Sequence, residues 1–91
     1  MLFMTILTWE PEKVPEIIKR RAEKGTVTSS KGGKRIGDWT AIAGDRSFSV
    51  VDADDPKAMA AVTRLWADIA KLEVIPIIES EELMKLVASK K

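Results

Sequence analysis

Apolar and polar positions alternate with different periods along this chain, and the changes of period mark its elements. Leu2 to Trp9, LFMTILTW, is a strand-length run of β-branched, aromatic and large apolar residues stopped by Glu10-Pro11. Neither of its faces is polar, so a strand covered on both sides is expected. Val14, Ile17, Ile18 and Ala22 then recur at helical spacing as a core-facing stripe, with Glu12 and Glu16 early and Lys and Arg late, the order that suits a helix dipole. Val14 precedes a proline and is biased away from helical dihedrals. The spacing therefore predicts a helix from Pro15 to Lys24, with Pro11 to Val14 open to one extra turn. Gly25 to Lys34, GTVTSSKGGK, has no period and reads as a mobile surface loop. Its KGGK is a fragment of a phosphate-binding loop at most, because no G-x-x-x-x-G-K-[ST] is present and a strand follows.

RIGDWTAIAGDRSFSVVDA alternates and is expected to fold as a hairpin about Gly44-Asp45, a two-residue turn with Gly first. In that register Ala43 faces Arg46, Ala41 faces Phe48 and Trp39 faces Val50. Trp39, Ala41, Phe48 and Val50 then form the core side, and Ile36, Asp38, Thr40, Ser47, Ser49 and Val51 a half-polar side suited to a cleft. Pro56 to Ala70, PKAMAAVTRLWADIA, predicts a second helix with Met59, Val62, Trp66 and Ile69 on one stripe, flanked by Ala58 and Leu65. Lys71 to Glu79, KLEVIPIIE, reads as a fourth strand, in which Pro76 lacks an N–H and argues for an edge position or a bulge. SEELMKLVASKK closes as a helix with Ser80 as N-cap and Leu83, Leu86 and Val87 on one side.

The order is β-α-β-β-α-β plus a C-terminal helix, an α+β, ferredoxin-like arrangement with two helices on one face of an antiparallel four-stranded sheet. One domain spanning residues 1–91 is expected. Large apolar residues on both faces of the first and fourth strands would leave an apolar patch on the uncovered face. A homodimer through that sheet face follows as an expectation.

Composition narrows the chemistry. The 91 residues include no Cys, no His and no Tyr, which removes disulfides, thiolate metal clusters, a thiol nucleophile and the usual neutral-pH general base. The opening MLFMTILTW lacks a basic segment and turns polar too soon for a secretory leader. No apolar run approaches the roughly 20 residues of a membrane span, so a cytoplasmic protein is expected. Net charge is +1, yet Glu10 to Arg35 holds 8 basic and 4 acidic residues and Asp38 to Glu82 holds 4 basic and 10 acidic. Two readings follow, steering of self-association or of a charged partner and, the plainer one, solvated helix faces.

Together, MLFMTILTWEP, GDWT, DADDP and RLWADIAKLEVIPIIES resemble a functionally uncharacterised family of small prokaryotic domains. That family is similar to the dimeric α+β barrel superfamily, which includes cofactor-independent monooxygenases, stress-responsive barrel proteins and muconolactone-isomerase-like enzymes. The resemblance implies the barrel fold and a homodimer. It supplies no motif on which to place a catalytic residue, and no cofactor is implied.

Trp9, Trp39 and Trp66 fall one each on the first strand, the second strand and the second helix. Converging on a cleft, they would suit a small, flat apolar ligand oriented by Asp38, Thr40 and Ser49; as plain core residues they would do no more than pack. An oxygenase or isomerase on a hydrophobic substrate in that cleft, and an interaction module with no pocket, are the alternatives. The basic set Lys19, Arg20, Arg21, Lys24, Lys31, Lys34 and Arg35 is interrupted by Glu16 and Glu23, and RSFSVVDA lacks the aromatic motif of a base-stacking sheet, which argues against nucleic acid. Nothing in the spacing brings a carboxylate pair together. The three carboxylates of DADDP lack the oxygen ligands and Gly of a calcium loop. Asp54 or Asp55 before Pro56 reads instead as a helix cap.

Overall fold

The computed structural model describes residues 1–24 and 33–89. Strand β1 is Leu2–Thr8, and a 3-10 turn at Pro11–Lys13 leads into helix α1, Val14–Lys24. Strands β2 (Gly33–Thr40) and β3 (Arg46–Ala53) follow, then α2 (Pro56–Trp66), β4 (Lys71–Ile77) and α3 (Ser80–Ser89). The strands form one sheet in the order β2-β3-β1-β4, every neighbour antiparallel. Pro76 lies on β4, an edge strand, where its missing N–H breaks no ladder. This is the ferredoxin-like topology, followed by a third helix. No helix among the described residues is long and apolar enough to cross a membrane.

Register sorts the strands into two faces. Rows Thr40–Ser47–Leu7–Leu72, Asp38–Ser49–Thr5–Val74 and Arg35–Val51–Phe3–Pro76 run across the side that carries α1 and α2. Rows Trp39–Phe48–Ile6–Glu73, Gly37–Val50–Met4–Ile75 and, on the inner strands and β4, Asp52–Leu2–Ile77 run across the other. Under the helices the core divides in two. Leu7, Trp9, Ile17, Val62, Trp66 and Ile69 form one cluster, and Phe3, Val51, Ala53 and Met59 form the other. The polar row through Ser49 and Thr5, each 1% exposed, lies between them.

Three sequence expectations are corrected. The face bearing Trp39, Phe48 and Val50 is the uncovered one, and the face bearing Ser47, Ser49 and Val51 lies under the helices. The indoles of Trp9 and Trp66 and the other large side chains below α1 and α2 occupy the interlayer space, so β3 contributes small residues there. The hairpin register also differs: Trp39 pairs with Phe48, and the Ala41 N–H donates to Arg46 O at 2.9 Å, leaving Ile42 to Asp45 as the loop. Gly44 takes φ +77, reserved in practice for glycine, and its N–H closes the turn onto Ala41 O at 2.8 Å. On α1 the inward residues are Ile17, Val14 and the arginines, while Ile18 is 64% exposed and Ala22 is exposed.

Smaller differences concern helix ends. Helix α2 stops at Trp66, with Met59, Val62 and Trp66 buried as the stripe requires. Glu79 O, rather than a Ser80 side chain, accepts the first amides of α3. At the front of α2, Asp55 accepts from the Lys57 N–H at 2.9 Å, the cap that DADDP implied. Most of the Gly25–Lys34 loop, including Lys31 and Gly32 of KGGK, lies outside the described residues; Gly33 and Lys34 open β2.

Candidate functional site

Strand alternation would put residues three apart on opposite faces. A bulge in β2 between Arg35 and Gly37 absorbs Ile36 as an extra residue, and so brings Arg35 and Asp38 to the same, helix-facing side. There the Asp38 carboxylate accepts from the Arg21 guanidinium of α1 and, at 2.9 Å, from the Ser49 hydroxyl of β3. Arg35 Nη1 stands 3.7 Å from the same carboxylate. The Asp38 side chain is 13% exposed and that of Arg21 24%. One carboxylate, two guanidinium groups and a buried hydroxyl thus meet where a side chain of α1 reaches β2 and β3. The cluster offers directional donors and an acceptor next to an apolar core, and among the described residues no buried side-chain nitrogen or oxygen lacks a partner.

A second arginine ties α1 to α2. Arg20 donates to both oxygens of Asp68, at 2.6 and 2.9 Å, and to Leu65 O at 2.9 Å, with its guanidinium 5.9 Å from the centre of the Trp66 ring. The hydrogen bond from Arg20 holds the Asp68 carboxyl below the usual carboxylate value, and the same bond raises Arg20. A shallow groove of about 310 Å³ beside it is lined by Glu16, Lys19, Arg20 and Glu23.

The uncovered face has different chemistry. Met4, Ile6, Phe48 and Val50 fill its middle, Trp39 and Ile75 extend it onto the two edge strands, and Glu73, Lys71, Arg46 and Asp52 stand toward its margins. Trp39, 57% exposed, lies across Gly37 so closely that a Cβ there would clash with the six-membered ring of the indole. Where this face meets the root of α3, Met1, Leu2, Ile77 and Ile78 line an apolar groove of about 480 Å³ rimmed by Glu79 and Glu82. A third groove, about 330 Å³, lies between the end of β1 and the turn after α2, beside Trp9 and Ile69.

The six residues singled out from sequence separate accordingly. Asp38 and Ser49 are hydrogen-bonded to each other. Trp9 and Trp66 are together in the core, with the Trp9 indole N–H donating to Gly44 O at 3.0 Å and so fastening the hairpin loop. Thr40 is exposed at the end of β2, opposite Ser47. Trp39 is on the other face of the sheet, so the three tryptophans do not meet. Arg21 was missed as a partner of Asp38; its position four residues after Ile17, hence on the same face of α1, was the available signal. Asp52 accepts from the Met1 amine at 2.9 Å, which with the Asp55 cap employs two of the three DADDP carboxylates.

The DUF3303 family, a domain of unknown function, matches residues 1–91. The chain belongs to the DUF3303 family. No curated protein sequence matches this DUF3303 domain. Among solved structures it is similar to protein Atu4242 from Agrobacterium tumefaciens, 11% identical over 87% of this chain and 95% of that one, with TM-score 0.52. Two further similar structures are an uncharacterized NIPSNAP domain protein from Burkholderia xenovorans (17% identical, 87% and 96% covered, TM-score 0.47) and 30S ribosomal protein S6 from Thermotoga maritima (13% identical, 96% of both chains, TM-score 0.43). At 11% identity, the likeness of the DUF3303 domain to Atu4242 speaks to fold alone.

Proposed function

We propose that this domain works as a homodimeric module that pairs through the uncovered face of its sheet, closing two sheets into an α+β barrel. The observation that carries the reading is the make-up of that face: an apolar middle with charged residues toward its corners, the layout of a protein interface rather than of a solvated surface. Both sheet edges discourage strand addition, since β4 carries Pro76 and two charges and β2 carries a bulge. Face-to-face pairing is what remains.

A second reading is supported by one observation, the Asp38–Ser49–Arg21 cluster under α1. A small apolar molecule bearing a single hydrogen-bonding group would be oriented by these side chains between helix and sheet, beside the core cluster of Phe3, Val51 and Met59. Native mass spectrometry of the purified chain tests both readings. A dimer mass at micromolar concentration is expected, with loss of the dimer in Phe48→Glu and Ile6→Glu variants that keep the wild-type circular dichroism. A monomer at about 100 μM, or full dimer in both variants, overturns the first reading. A mass excess that disappears in Asp38→Ala is expected from the second, and no retained mass under native conditions counts against it.

A further inference from the structure

We infer that the ligand for the cluster beside β2 is an acid: a planar carboxylate on a small apolar body, received by the guanidinium groups of Arg21 and Arg35 with Asp38 behind them. The inference rests on the second reading above and adds to it the charge and shape of the group that binds.

The charges do not cancel. Asp38 brings one negative charge to the cluster, and Arg21 and Arg35 bring two positive ones. The surplus positive charge stands beside an apolar core, where it is screened less than in bulk water. The carboxylates of α1 are elsewhere, since Glu16 and Glu23 lie with Lys19 and Arg20 around the groove on another arc of that helix. A neutral head group would leave the surplus and a cationic one would enlarge it. An anion removes it.

Exposure sets the order in which a ligand meets these groups. The side chain of Arg35 is 45% exposed, that of Arg21 24% and that of Asp38 13%, while Ser49 is 1% exposed. A molecule arriving from solvent therefore reaches guanidinium groups before it reaches the carboxylate. Asp38 already accepts from Arg21 and from the Ser49 hydroxyl. Arg35 Nη1, at 3.7 Å, is drawn to Asp38 by charge but stands beyond hydrogen-bond reach. Its fork of donors is thus left for an incoming acceptor, and a planar fork matches a carboxylate through two parallel bonds.

The backbone is bent to build this arrangement. The bulge at Ile36 gives up a ladder position and turns Arg35 to the same side as Asp38, the kind of local re-aiming for which bulges are used near binding sites. It also sets Arg35 in one row with Val51 and Phe3, two members of the second core cluster. The apolar body of an acid held at Arg35 is directed toward the margin of that cluster.

Isothermal titration calorimetry with naphthoate and its uncharged isostere naphthamide tests this. Naphthoate is expected to bind the wild-type chain at least about tenfold more tightly than naphthamide. Arg35→Gln is expected to remove that difference with circular dichroism unchanged. Lys19→Gln deletes the same charge outside the cluster and is expected to leave both affinities as they are. Equal affinities of the wild type for the two probes overturn the acid while leaving a ligand site standing. A preference that survives Arg35→Gln, or that Lys19→Gln weakens as much, overturns the assignment to this cluster. Absence of binding by either probe at millimolar concentration overturns the acid and the second reading together.

Discussion

Replacing Asp38 by alanine is the most direct probe of how α1 is held to the sheet. The substitution deletes the acceptor shared by Arg21 and Ser49. A charge-assisted hydrogen bond contributes about 1.5–3 kcal/mol net, and a buried hydroxyl stripped of its partner costs about 1–3 kcal/mol. Ser49 is 1% exposed and has little access to water, whereas Arg21, 24% exposed at its side chain, recovers part of its solvation. The two effects together give a loss of about 3 kcal/mol, a large share of the roughly 5–15 kcal/mol that holds a domain folded. Asp38→Asn keeps the shape and an acceptor for Ser49 but drops the charge, and is expected to fall between wild type and alanine. Urea unfolding followed by circular dichroism at one fixed chain concentration reads the change, the fixed concentration being needed because the proposed pairing would add to apparent stability. With a urea dependence of about 1–1.5 kcal/mol per molar, the midpoint drops by about 2–3 M. Asp68→Ala removes a geometrically better, bidentate partner from Arg20, but Asp68 is 62% exposed, so its effect should be clearly smaller. Equal losses for the two alanine variants, or less than about 1 kcal/mol for Asp38→Ala, would refute the claim that burial gives the Asp38 cluster its weight.

Three further outcomes are expected. Asp55→Ala removes the cap on the Lys57 N–H and should lower unfolding free energy by about 1 kcal/mol, with dimer affinity unchanged by sedimentation. The Asp68 carboxyl is held below its ordinary value of 3.8, first by the hydrogen bond from Arg20. Its contribution is therefore complete above that value and is lost as pH falls through the lowered one, so urea midpoints measured from about pH 5 downward should decline less steeply in Asp68→Asn than in wild type. Gly37→Val places a side chain where the Trp39 indole lies, so Trp39 must leave the face; a shifted Trp39 emission in a Trp9→Phe/Trp66→Phe background and a weaker dimer are expected, and unchanged emission would count against the stacking.

Element identity was legible because each element has its own period. Leu2 to Trp9, the Met59–Val62–Trp66 stripe and the Pro56 start of α2 needed only alternation, helical spacing and cap chemistry, and all three are where that reasoning put them. The side of the sheet that the helices cover was not legible from the hairpin. Size pointed to Trp39 and Phe48 as core, but the volume beneath α1 and α2 is already taken by Trp9, Trp66, Phe3 and Met59, which leaves room on β3 for Ser47, Ser49 and Ala53. Asp38 and Ser49 were expected on one face of the hairpin but not as a hydrogen-bonded pair, because the expected register set Thr40 opposite Ser49; Arg21 was not expected there at all, since it looked like one charge in a basic run and only the position of Ile17 on α1 shows that it points inward. The hairpin register failed for a related reason. Gly44 does sit at a positive φ, yet the four-residue loop is set by Trp9, whose backbone N–H and indole N–H reach Asp45 O at 3.1 Å and Gly44 O at 3.0 Å, a long-range tie that no local turn rule contains.

The reversal of faces bears on function as well as on folding. Hydroxyl side chains under a helix layer are tolerable only when each finds a partner, which fixes how α1 and α2 sit and rigidifies the covered side. The other face keeps Met4, Ile6, Phe48, Val50 and Ile75 together although they do nothing for the packing of this chain beneath its helices. Transfer of such side chains out of water is favourable by about 25 cal/mol per Å², so an uncovered patch of this size is a standing drive toward association. Guarded edges and an open face leave a second sheet as its natural cover. A surface meant only to be wet would carry the polar residues that this sequence instead places inside, and the Phe48→Glu and Asp38→Ala variants separate the two roles: the first should dissolve the pair and leave the fold, the second should weaken the fold and leave the pairing surface as it is.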